Sequence, residues 1–122
     1  MPNPASLERF IATVEANQHD LAIENFYTED ASMQENQSLP RVGRDNLVTN
    51  ERAVMKRIQS VSSQCIRPVF VHGDHVVIRW VFTFTWKDGT GSQIEELAYQ
   101  KWKGDLIQEE QFFYDPKQME PK

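Results

Sequence analysis

The stretch VVIRWVFTFTW, residues 76–86, decides the fold. In an extended chain successive side chains point to opposite faces, so Val76, Ile78, Trp80, Phe82, Phe84 and Trp86 share one side. Val77, Arg79, Val81, Thr83 and Thr85 share the other. Aromatic and β-branched residues suit a pleated backbone, and the period is two, so this is a strand. Its first face must be covered. Its second, with two valines and a single charge, is too apolar to be simply bathed in water. The strand is therefore expected at the centre of a sheet, with helices or a pocket on one side and a second subunit on the other, because an exposed apolar face is an association site.

Outward from this strand, the turns HGDH, KDGTG and WKGDL separate four period-two runs from Val61 onward, which gives an antiparallel meander. Towards the N-terminus the period lengthens. Asn3 followed by Pro4 is a helix cap and first helical residue, and Leu7, Phe10, Ile11 and Val14 recur at helical spacing, predicting a helix over 4–16. After the polar break NQHD, LAIENFY predicts a shorter helix with Leu21, Ala22 and Phe26 on one face, ending before Asp30. QSLPRVGR, with Pro40 and Gly43, is a loop, and Asp45 is placed to cap a third helix whose stripe is Leu47, Val54, Met55 and Ile58. Its other face, Arg52, Lys56 and Arg57 with Glu51 interleaved, is a solvated surface. The order helix, helix, strand, helix, four strands predicts one α+β domain over residues 1–122, with three N-terminal helices packed on one sheet.

Bulk composition narrows the partners. A chain of 122 residues makes one ordinary domain, and its net charge of -5 supplies no broad basic surface for nucleic acid. MPNPASLERF lacks a basic stretch followed by an apolar run, and no segment reaches the roughly 18 apolar residues of a membrane span. Cys65 is the only cysteine, which excludes an internal disulfide or a thiolate zinc cluster and agrees with a reducing cytoplasm. His72 and His75 flank a tight turn with no third ligand beside them, so they read as an exposed hairpin. His19, in the break between helices, reads as a capping or exposed residue. With no Gly-rich phosphate loop, no serine elbow and no Cys/His pair, no cofactor or metal site is expected.

DASMQEN, residues 30–36, holds the less ordinary signal. Ala31, Met33 and Glu35 share a strand face, so a buried Met33 brings Glu35 inward with it. On the last strand Glu110, Phe112 and Tyr114 lie opposite Glu109, Gln111 and Phe113. Glu95 and Glu96 face opposite ways, so at most one is inward.

Taken together, the helical opening, FYTEDASMQEN leading through PRVGR into a helix, and the ending KGDLIQEEQFFYDP resemble the SnoaL-like members of the nuclear transport factor 2-like superfamily. The resemblance implies a cone-shaped α+β fold in which a curved antiparallel sheet wraps the helices around a cavity for a small hydrophobic or oxygenated organic molecule. It is compatible with a homodimer through the convex face of the sheet. The superfamily includes isomerases, cyclases, dehydratases, epoxide hydrolases and non-catalytic binding modules, so the cavity residues must discriminate. The segment is similar to that of ketosteroid isomerase, and along this match the general base falls on Glu35 and the protonated oxyanion donor on Glu96, with Glu95 as the alternative register. A carboxylate in an apolar wall, its pKa tuned by burial, suits proton abstraction next to a carbonyl. The isomerase's helix-borne tyrosine falls on Phe10, which has no hydroxyl. The comparison favours Glu110, Phe112 and Tyr114 as cavity-facing. Tyr114 is then a substitute donor, and Arg79 a partner for Glu35, for Glu96 or for an anionic substrate oxygen. The resemblance thus implies catalytic roles for Glu35 and Glu96 and a substrate-binding lining of Phe10, Met33, Arg79, Glu110, Phe112 and Tyr114.

Overall fold

A computed structural model describes residues 1–120. Helix α1, Pro4–Glu15, begins as its sequence demands. The Asn3 side chain accepts the backbone N–H of Ala5, and Pro4 occupies the first turn, where its missing N–H costs nothing. Leu7, Phe10, Ile11 and Val14 are buried along one stripe. Helix α2, His19–Phe26, starts two residues earlier than LAIENFY suggests. Its buried face is Ala22 and Ile23, with Phe26 packed on the core, while Leu21 points outward at the surface. Strand β1, Tyr27–Glu35, follows without a loop, so residues 27–29, which look like a helix end, are already strand.

Inside the stretch expected to be loop lies a two-residue strand β2, Arg41–Val42, pairing antiparallel with β1 through Met33 and Ser32. Gly43, at φ 98°, then redirects the chain into α3, Arg44–Met55. The cap is therefore Gly43 and not Asp45, which lies in the first turn of the helix. Leu47 and Val48 are the buried residues of α3. Ile58, assigned by its spacing to the helical stripe, is instead the first residue of β3, Ile58–His72.

Strands β3, β4 (His75–Trp86), β5 (Gly91–Lys103) and β6 (Leu106–Phe113) form the expected antiparallel meander. The sheet order is β2-β1-β6-β5-β4-β3. Strand β1 pairs with β6 in parallel, so the whole sheet is mixed and not purely antiparallel. A parallel partner needs a long crossover, and everything from β2 to β5 supplies it. Register shifts within β3 and between β5 and β6 are bulges of the kind that bend a sheet. The helices pack on one face, against Val76, Ile78, Trp80, Ala98, Trp102 and Ile107, all at most 2% exposed. Cys65 is a buried filler in this layer, and its thiol is pushed up chiefly by burial. A short 3-10 turn, Pro116–Met119, folds back on β5, where Gln118 accepts the Glu95 backbone N–H at 2.8 Å.

Candidate functional site

The helices do not fill the inner face of the sheet. A cavity of about 400 Å³ remains between α1, α2, α3 and the strands, walled by Phe10, Val14, Ile23, Trp80, Phe82 and Phe84. Its polar groups follow from strand register. In one cross-sheet row Trp80 is paired with Glu96, and Tyr114, the residue after the Leu97–Phe113 pair, lies next to Glu96. The neighbouring row runs Ile78, Ala98, Phe112, Glu35, and the deepest runs Val76, Gln100, Glu110, Met33. Alternation thus aims three carboxyls, Glu35, Glu96 and Glu110, into one largely apolar space.

The three occupy different environments. Glu35, at the end of β1, is 46% exposed and forms an ion pair with Arg41 at 3.7 Å, so it stands at the cavity mouth. Glu96 is half-buried, and burial, reinforced by the like charges of Glu110, Glu35 and Glu51, pushes its carboxyl up to about 8. Glu110, only 3% exposed, receives the Tyr27 hydroxyl on Oε1 and the Gln100 amide on Oε2 at 2.6 Å. Burial raises it to about 7 even though both hydrogen bonds favour the ionised form. The Tyr114 phenol is raised by burial and by the nearby carboxylates of Glu35 and Glu96. The mouth therefore presents Glu35, paired with Arg41, beside Glu96, which at neutral pH is a protonated, hydrogen-donating carboxyl.

Among the residues singled out from the sequence, Glu35, Glu96, Phe10, Met33, Glu110, Phe112 and Tyr114 all line this cavity. Arg79 does not. It lies on the outer face of β4, where its Nε donates to Glu95 Oε1 at 2.8 Å, so it pairs with neither Glu35 nor Glu96. The reason is parity: Arg79 is one residue out of phase with Ile78 and Trp80, and Glu95 one out of phase with Glu96. Phe10 is 2% exposed and packs edge-on against Phe26, Tyr27 and Trp102.

Several site residues escaped the sequence reading. Tyr27 looks like the end of a helix. Gln100 and Trp102 share the parity of Glu96 along β5 and were legible once Glu96 was taken as inward. His19 is not at the surface: it lines the cavity, its Nε2 lies 2.8 Å from Ser63 Oγ, its Nδ1 lies 3.5 Å from Glu51, and its ring meets Phe82 edge-on. The Nε of Arg41 is buried with no hydrogen-bond partner among the described residues. No group of three side chains suited to hold a metal ion occurs among the described residues.

This architecture, helices packed on one face of a six-stranded mixed sheet with carboxyls aimed into an apolar hollow, is an α+β fold of the nuclear transport factor 2-like class. Within it the chain belongs to the SnoaL-like domain family, whose sequence profile matches residues 7–110. Solved structures agree on the fold. A protein described as a SnoaL-like polyketide cyclase from Mesorhizobium loti is 20% identical and superposes with a TM-score of 0.75 over 90% of this chain and 97% of its own. A protein of ketosteroid isomerase-like fold from Catenulispora acidiphila, solved with trimethylamine, is 17% identical, with a TM-score of 0.78 over 95% and 89%. An LEH-like epoxide hydrolase from M. tuberculosis is 13% identical, with a TM-score of 0.76 over 94% and 84%. No protein of curated function matches the sequence at a significant level.

Proposed function

We propose that the cavity binds a small, mostly apolar molecule carrying a carbonyl, and that the protein catalyses a cofactor-independent proton transfer of the isomerase, cyclase or lyase type. The observation that carries this reading is the pairing of unlike carboxyls in one cavity: Glu35, ion-paired at the mouth, and Glu96, half-buried and raised to about 8. Unlike environments divide acid from base between chemically identical groups. Glu35 takes a proton from the carbon next to the carbonyl, and the C–H electron pair moves to form the enolate. Glu96 and Tyr114 donate hydrogen bonds to the developing oxyanion. The proton then returns to a different carbon, or the enolate closes a ring or expels a leaving group. A volume near 400 Å³ falls at the small end of the usual range for organic ligands.

The test needs no knowledge of the natural substrate. In D2O, wild type is expected to accelerate exchange of the acidic hydrogens of 2-tetralone and related enones, followed by NMR. Glu35→Gln should reduce the rate to background, and Glu96→Leu, which removes the donor, should lower it about 100-fold, the usual effect of losing an oxyanion donor. Exchange that is as fast in Glu35→Gln as in wild type refutes the role of Glu35. The Glu35–Arg41 ion pair at the mouth also favours a second reading, a binding module that holds such a ligand without turning it over; ligand binding with no exchange would select it.

The outer sheet face, with Leu97 45%, Tyr99 47% and Phe113 38% exposed, is proposed to pair with a second copy. Sedimentation of wild type against Leu97→Asp tests this, and a monomeric wild type refutes it. No helix among the described residues is long and apolar enough to cross a membrane, and we assign the protein to the cytoplasm on its single, buried cysteine.

A further inference from the structure

The mouth of the cavity accounts for Glu35, Glu96 and Tyr114, but leaves unexplained a set of hydrogen bonds at its closed end. There the Trp102 indole N–H donates to Gln100 Oε1 at 2.9 Å, the Gln100 amide donates to Glu110 Oε2 at 2.6 Å, and Tyr27 bonds Glu110 Oε1. Trp102 and Gln100 are at most 1% exposed and Tyr27 and Glu110 are 3%, yet both Tyr27 and Glu110 line the cavity. An apolar residue at 110 would pack as well with no desolvation cost, so a satisfied buried carboxyl facing a hollow asks for a use.

The direction of each bond follows from the chemistry. An indole N–H only donates, which makes Oε1 of Gln100 the acceptor and turns its amide nitrogen towards Glu110. Oε2 of Glu110 is thereby occupied, and a proton carried by Glu110 resides on Oε1, in line with the Tyr27 oxygen. Two states result. When Glu110 is protonated, it donates to the phenol oxygen and the hydrogen of Tyr27 is free to turn into the cavity. When Glu110 is ionised, it takes the Tyr27 hydrogen and the phenol has none to offer. Glu51 from α3 also faces this end with negative charge and favours the protonated state of Glu110, whereas Glu96 from β5 stays protonated, and so neutral, until about pH 8.

We propose that Tyr27, backed by Glu110, is a hydrogen-bond donor and proton carrier for the bound molecule, and that the ligand is therefore an elongated apolar molecule with an oxygen function at each end. This rests on the reading of the cavity as a ligand site. One oxygen meets Glu35, Glu96 and Tyr114, and the other meets Tyr27. A proton passed from ligand to the phenol oxygen is matched by the phenol hydrogen moving to Glu110, so no charge is left on Tyr27. Tyr114, the residue just past the end of β6, lies four residues beyond Glu110, roughly 13 Å at about 3.3 Å per extended residue, a span suited to two fused rings with a substituent at either end. Tyr27 contacts the ligand, and Glu110 is its positioning residue.

The matched probes are 2,6-diacetylnaphthalene and 2-acetyl-6-isopropylnaphthalene, which have nearly the same shape, differ in the second carbonyl and do not titrate. Dissociation constants are measured by tryptophan quenching near pH 6 and near pH 8.5. Wild type is expected to prefer the diketone about tenfold at the lower pH, the worth of one well-placed hydrogen bond, and within about threefold at the higher. Ionisation of Glu96 at the mouth affects both probes alike and cancels in the ratio. Tyr27→Phe, which removes one hydroxyl and keeps the ring against Phe10, should abolish the preference at both pH values. Glu110→Gln should keep the preference but lose its pH dependence; should that variant fail to fold, Tyr27→Phe carries the test alone. A wild type that binds the monoketone without preferring the diketone overturns the inference and leaves the cavity reading standing. So does a preference that survives in Tyr27→Phe, and a pH dependence that survives in Glu110→Gln removes Glu110 from the proposal. If neither probe binds, both readings fall together.

Discussion

Replacing Glu96 by Gln should make the protein less sensitive to pH, and the sign and size follow from burial. In the unfolded chain a glutamate releases its proton near its ordinary value of 4.5, whereas folded Glu96 holds it to about 8. Between these values the folded state binds more protons than the unfolded one, so the free energy of unfolding falls as pH rises. The contribution of Glu96 is fully present below about pH 4.5 and lost progressively up to about 8. A whole proton of difference is worth about 1.4 kcal/mol per pH unit, which sets an upper limit near 5 kcal/mol over the window. Water entering at the cavity mouth reduces it, and a loss of about 2–4 kcal/mol is expected. Gln has the shape of the protonated acid and does not titrate. Wild type and Glu96→Gln should therefore be nearly equal at about pH 5, and the variant more stable by about 2–4 kcal/mol near pH 8.5. Urea unfolding followed by tryptophan fluorescence measures this directly, because Trp80 is the cross-strand partner of Glu96. Glu110 titrates in both proteins and largely cancels. Stability curves that run parallel from pH 5 to 9 would refute the protonated Glu96 on which the proposed acid role depends.

Other substitutions separate structural from functional contacts. Gln100→Leu strands both the Trp102 indole and Glu110 Oε2 in the core, and should cost about 2–4 kcal/mol in thermal or urea unfolding. Arg79→Ala removes a half-exposed ion pair with Glu95, so stability should change by less than about 1 kcal/mol and cavity-ligand affinity not at all. Gly43→Ala should cost about 1–3 kcal/mol by calorimetry, since φ 98° is strained for any side chain even though the added methyl finds space, its nearest neighbour being Asn46 Cβ at 4.0 Å. Asn3→Ala, which strips the cap from α1, should lower stability by about 1 kcal/mol.

The outcome for Arg79 shows where local reading fails. Its alternation with Ile78 and Trp80 was plain in the sequence and already put it on the opposite face; the charge-pairing idea that drew it towards Glu35 or Glu96 overrode that parity. Leu21 and Ile58 failed differently. Leu21 is helical as its spacing implies, but the buried face of α2 is set by Ala22 and Ile23, which leaves Leu21 at the surface, whereas Ile58 is lost to the helix because α3 ends at Met55 and β3 begins at Ile58. Strand β2 is too short to show any period. Its two residues become strand only because β1 offers an edge beside them.

What the amino-acid sequence determined by itself was everything that a period can encode: the capped first helix, the four-strand meander, the shared strand face of Met33 and Glu35 and of Glu110 and Phe112, and the opposite facing of Glu95 and Glu96. Periodicity is a property of neighbours in the chain, and neighbours in the chain are all that a sequence contains. The tertiary structure alone decided which strands lie side by side. The parallel seating of β1 against β6 brings Glu35 to the row of Phe112, and Met33 to the row of Glu110. The same seating delivers the Tyr27 hydroxyl, across most of the chain's length, to a carboxyl that only burial keeps near neutrality. Register between distant strands is set by which arrangement covers the whole apolar face at once, and no local stretch of residues carries that sum.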